Sequence, residues 1–78
     1  MKKLTIKLSD IDGVKKFVTK VSKYPFDVDL LTGRYIIDGK SIMGILSLDL
    51  DKPLSCVIHS EQCDELLSDI QEFIVPEE

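Results

Sequence analysis

Leu4, Ile6 and Leu8 alternate with Thr5 and Lys7, the two-residue period of a strand with one face buried. Ser9-Asp10-Ile11-Asp12-Gly13 breaks that rhythm with turn and capping residues. Val14, Phe17, Val18 and Val21 then recur at helical spacing while Lys15, Lys16, Thr19 and Lys20 fall on the other side. The pattern predicts an amphipathic helix of about three turns, capped by Asp10 or Asp12, whose carboxylates also suit the positive end of the helix dipole. Tyr24-Pro25 closes it, because a residue before proline avoids the helical region. Phe26, Val28 and Leu30 alternate with Asp27 and Asp29 in a second strand. Thr32-Gly33 turns the chain into a third strand over Arg34 to Ile37, and Asp38-Gly39 turns it again. Ser41 is placed to cap a short helix from Ile42 to about Leu48. Leu54 to Ser60 reads as a fourth strand. From Glu61 onward Cys63, Leu66, Leu67, Ile70, Phe73 and Ile74 share one face of a last helix, and Val75-Pro76-Glu77-Glu78 forms a short acidic tail.

The order is β-α-β-β-α-β-α. Helices with one apolar stripe need a surface to cover, and a four-stranded antiparallel sheet supplies it. The expectation is an α+β open-faced sandwich, a single domain over residues 1–78 with three helices on one sheet face. At 78 residues there is room for one modest core.

Charge and composition narrow the function by exclusion. Ten Lys and Arg against 14 Asp and Glu give a formal net charge of −4, which argues against a nucleic-acid partner needing a dense basic face. No apolar run approaches the roughly 20 residues that span a bilayer, and the start has no apolar signal-peptide core. A cytoplasmic protein with no membrane partner is expected. Cys56, Cys63 and the single histidine, His59, fall short of the four ligands of a structural zinc site. Two reduced, buried thiols are expected, with no metal and no cofactor. Asp10-Ile11-Asp12-Gly13 has the opening of a calcium loop without its later ligands or closing glutamate, so helix capping is the reading carried forward.

The element order and the run Lys40-Ser41-Ile42-Met43-Gly44-Ile45-Leu46-Ser47-Leu48 resemble the HPr family, the small phosphocarrier of the bacterial sugar phosphotransferase system. Ser22-Lys23-Tyr24, Asp27-Val28-Asp29-Leu30 and Thr32-Gly33 match as well. The resemblance covers essentially the whole chain, apart from a short deletion between the last strand and last helix. It implies a histidine at the N-terminal end of the first helix, an arginine two residues later and then a proline. Counting back without gaps, those positions hold Asp10, Asp12 and Gly13.

The departure reverses the chemistry. A helix N-terminus draws phosphate through free N–H groups and partial positive charge. A carboxylate about 4 Å from a phosphoryl oxygen repels it by on the order of 4 kcal/mol per unit charge pair at an effective dielectric of 20. Phosphate carried on histidine is therefore not expected. His59, on the fourth strand, is too far along the chain to substitute and reads as an ordinary surface residue. The resemblance assigns Ser41 as a site that a dedicated ATP-dependent kinase phosphorylates in Gram-positive members. It assigns Ile42, Met43 and Leu46 as the docking patch for enzyme I, sugar-specific components and the kinase. It also supplies precedent for members that lack the histidine and act through the phosphoserine form. The expected protein is non-enzymatic: a regulatory module binding a phosphotransferase system component, a serine kinase or a transcription regulator through Ile42, Met43 and Leu46, and gated at Ser41. The alternatives are a residual phosphocarrier using Asp10 or His59, and a purely structural role.

Overall fold

The computed structural model describes residues 1–76; Glu77 and Glu78 of the acidic tail lie outside them. The elements run β1 (Lys2–Ile6), α1 (Ile11–Val21), β2 (Val28–Thr32), β3 (Tyr35–Asp38), α2 (Ile42–Leu46), β4 (Leu54–Ile58) and α3 (Asp64–Asp69), with a 3₁₀ turn at Gln71–Phe73. The four strands form one sheet in the order β1-β4-β2-β3, antiparallel at every step. Leu4, Cys56, Leu30 and Ile37 stand side by side in register, as do Lys3, Val57, Asp29 and Asp38 one residue along. Side chains alternate between sheet faces, so the first row points to the helices and the second to the open side.

All three helices cover the same face. Val14, Phe17 and Val21 of α1, Ile45 of α2 and Leu66 of α3 are buried against Ile6, Val28, Leu30, Leu54, Cys56 and Ile58 of the sheet. The Phe17 ring meets that of Phe73 edge to face, with centroids 5.9 Å apart. Both cysteines are free and buried, as expected, and burial pushes the Cys56 thiol up to about 12. No helix among the described residues is long and apolar enough to cross a membrane.

The boundaries differ from the sequence pattern where hydrogen bonding outside an element competes with its period. The expected last helix through Ile74 stops at Asp69. Beyond it Lys7 N–H donates to Phe73 O and Val75 N–H to Thr5 O, both at 2.9 Å, and Ile74 bridges to Ile6. The free edge of β1 needs these partners, and the chain leaves the helix to provide them. Val75 is thus bonded to the sheet edge rather than part of a tail. Glu61 and Gln62 precede α3 in a turn held by Gln62 N–H to Ser60 Oγ, 3.1 Å. Leu8 is buried but lies beyond β1, where Ser9 N–H donates to Leu50 O. Strand β2 begins at Val28, not Phe26, whose ring instead packs on Tyr24 with centroids 5.5 Å apart. Strand β3 extends one residue past Ile37, α2 ends at Leu46 and β4 at Ile58.

Two side chains tie the end of α1 to α3. Tyr24 Oη donates to Asp69 Oδ2 at 2.5 Å, and Lys20 Nζ donates to the Asp69 carbonyl at 2.8 Å. The hydrogen bond to Asp69, with burial second, raises Tyr24 from 10.0 to about 12. A raised tyrosine stabilises the fold fully below its unfolded value and loses that contribution as pH climbs from 10 through 12. Cys56 acts in the same sense from pH 9.0 upward. Melting temperatures are expected to fall between pH 9 and 12, and Tyr24→Phe is expected to flatten the upper part of that fall. An equal slope in the variant would remove Tyr24 as its source.

Candidate functional site

Two neighbouring features carry the candidate chemistry: the corner between β1 and α1, and the short helix α2. The corner is held tightly. Ser9 has φ of +69° and Asp10 N–H donates to Leu8 O at 2.8 Å, an i to i+2 turn that is strained for a residue with a Cβ. Asp10 follows in extended conformation and caps α1, its Oδ1 accepting from Gly13 N–H at 2.7 Å while its carbonyl accepts from Val14 N–H. Of the two capping candidates, Asp10 is therefore the one that works. Asp12 sits one position inside the first turn, exposed, where its charge suits the helix dipole.

The corner admits this arrangement because residue 13 is glycine. A Cβ there would fall far inside contact distance of the Leu8 carbonyl oxygen. Glycine also offers the N–H that the cap needs. Chemically, the corner presents two carboxylates, which accept hydrogen bonds and donate none.

Ser41 caps α2, its Oγ accepting from Gly44 N–H at 3.2 Å. With five residues, α2 has few inward positions. Ile45 is fully buried and Leu46 is half-buried against the core, while Met43 is 80% and Ile42 38% exposed. The helix lies against β3 so closely that a Cβ at Gly44 would come within 2.9 Å of Ile37 Cγ2.

His59 stands elsewhere. It follows Ile58, which pairs with Lys2 at the start of β1, whereas α1 begins after the far end of that strand. Five residues of strand separate the two ends by roughly 13 Å. The imidazole Nε2 hydrogen-bonds Asp29 Oδ2 at 2.8 Å on the open sheet face. Among the described residues no group of three or more His, Cys, Asp or Glu side chains could hold a metal ion.

The sequence pattern did not single out Tyr35, Ile36 or Ile11, which are large, apolar and exposed. The signal for Ile36 was present: in the run Tyr35-Ile36-Ile37 the middle residue of an alternating strand must face away from the other two.

No protein-family model and no curated protein matches the chain. Solved structures do. The chain is similar to HPr-C-His from Thermoanaerobacter tengcongensis, at 22% identity and a TM-score of 0.76, over 92% of this chain and 89% of that one. It is similar to the histidine-containing phosphocarrier protein of Mycoplasma, at 13% identity and a TM-score of 0.73, over 91% and 89%. It is also similar to the phosphocarrier protein HPr of Bacillus anthracis str. Ames, at 17% identity and a TM-score of 0.66, over 95% and 94%. The fold is that of these proteins: an HPr-like α+β open-faced sandwich.

Proposed function

We propose, starting from an HPr-like fold whose phosphate-facing corner is built from Asp10 and Asp12, that this chain does not carry phosphate on histidine. It acts as a non-enzymatic regulatory or protein-binding module. The observation that carries the reading is the Asp10 cap. The N–H of Gly13, one of the donors that this helix end could turn to a phosphate, is already taken by the Asp10 carboxylate. Both side chains that the resemblance aligns with the phosphate-holding pair accept hydrogen bonds and donate none.

The binding half of the proposal rests on α2. Ile42 and Met43 project an apolar surface into solvent, with Leu46 packed beneath. Exposed apolar clusters of this kind mark interfaces more often than scattered single residues do. The resemblance names the candidate partners: a phosphotransferase system component, a serine kinase or a transcription regulator. Ser41 is the proposed control point, since phosphate on its Oγ would place charge beside the docking residues.

Two measurements test this. Incubation with enzyme I and labelled phosphoenolpyruvate is expected to leave the chain unlabelled; acid-labile label on it would overturn the loss of phosphotransfer. Met43→Glu, which removes apolar surface without touching the core, is expected to abolish capture of phosphotransferase components or a serine kinase. Capture by the variant equal to the parent chain would remove α2 as the docking surface.

A further inference from the structure

We infer that β3 is the pairing edge for a second copy of this chain, the two β3 strands meeting antiparallel about a two-fold axis at Ile36. The two sheet edges are not equivalent. Strand β1 has its far end covered by Ile74 and Val75, whereas among the described residues β3 has no strand beyond it. Gly39 N–H donates to Val28 O at 2.6 Å, and Val28 lies in register with Gly39 by continuation of the β2–β3 ladder. Alternation then directs the backbone of Ile37 and Tyr35 to β2 and that of Ile36 and Asp38 outward. The N–H and C=O of Ile36 and the N–H of Asp38 make a template for another strand, while the Asp38 carbonyl already accepts from Ser41 N–H at 3.0 Å and its Oδ1 from Lys40 N–H at 2.9 Å.

The side chains specify which strand. In an antiparallel pair centred on Ile36, Arg34 of one copy stands opposite Asp38 of the other, Tyr35 opposite Ile37, and Ile36 opposite itself. The segment Arg34-Tyr35-Ile36-Ile37-Asp38 is therefore complementary to its own reverse in charge and in hydrophobicity. Within one copy neither charged end is satisfied by an ion. Arg34 and Asp38 take part in none of the ion pairs among the described residues. Asp38 lies directly opposite Asp29, a like charge, and Asp29 is already engaged by His59. A guanidinium from a second copy would relieve that repulsion. Ile36 and Tyr35, 70% and 68% exposed, would each gain an apolar cross-strand neighbour in the same step.

The interface is small, so the expected behaviour is a monomer–dimer equilibrium rather than an obligate dimer. Sedimentation velocity over about 10 µM to 1 mM, the range in which weak protein pairs associate, is expected to show the dimer growing with concentration. Arg34→Asp sets like charges opposite each other and is expected to weaken association about tenfold or more. Asp38→Arg alone is expected to do the same, and the two together to restore it. Ile36→Cys provides a second line of evidence that does not depend on charge. Residues opposite each other at a hydrogen-bonded position are about 5.5 Å apart, within disulfide reach. Mild oxidation is expected to cross-link this variant and not Met43→Cys. Monomer at every concentration, dimers indifferent to Arg34→Asp, failure of the charge swap to restore a folded double variant, or equal cross-linking of both cysteine variants would each overturn the assignment.

Discussion

Phe17→Ala is expected to lower the urea midpoint more than any other single substitution named for this chain. Phe17 is fully buried at the centre of α1, enclosed by the sheet and by Phe73, whose ring it meets at 83°. Truncating a buried phenylalanine costs about 3–5 kcal/mol, through lost transfer energy and the cavity left behind. A chain of this size has roughly 4–12 kcal/mol of total stability. The loss therefore consumes a large share of it. Urea unfolding followed by circular dichroism checks this, with Phe17→Leu retaining most of the volume and most of the stability. A small shift in midpoint for Phe17→Ala would mean that α1 and the segment around Phe73 collapse together to fill the space.

Gly13→Ala is the second large effect, and its sign is opposite to what helix propensity gives. In an ordinary helix interior the change would gain up to about 1 kcal/mol. Here the added carbon runs into the Leu8 carbonyl oxygen, a backbone atom fixed by the Ser9 turn and by Ser9 N–H to Leu50 O. Relief requires moving the whole β1–α1 corner. Overpacking of that kind costs about 1–3 kcal/mol or more. A melting temperature lower by about 10 °C is expected for a domain of this size. An unchanged melt would show that the corner is looser than its hydrogen bonds imply.

Much of the fold was legible in the residues. The two-residue and helical periods located all four strands and three helices, because each element has one wet face and one dry one. The ends were harder. Where α3 stops depends on the open edge of β1, some sixty residues earlier, and no local pattern around Ile70 reports that need. Leu8 keeps strand alternation but sits in a turn, because Ser9 takes a positive φ that its own identity does not announce. Of the candidate site, the two carboxylates and the Ser41 cap could be placed from spacing. Which aspartate caps α1 could not, since both precede the apolar stripe. The exposure of Met43 was inferable only from the shortness of α2, and the open edge at β3 only from the order in which strands lie side by side.

The cap between Asp10 and Gly13 couples two positions of the corner. The resemblance aligns position 13 with proline, which has no N–H to give a capping carboxylate and whose ring carbons would meet the Leu8 carbonyl as alanine's methyl does. Aspartate at 10 with proline at 13 lacks the bond, and histidine at 10 with glycine at 13 replaces a charged carboxylate acceptor by at most one neutral ring nitrogen. The residues at 10 and 13 thus act as a pair, the acceptor of one needing the N–H of the other. Either exchange made alone removes the carboxylate–amide bond that holds the first turn of α1, so positions 10 and 13 are energetically coupled.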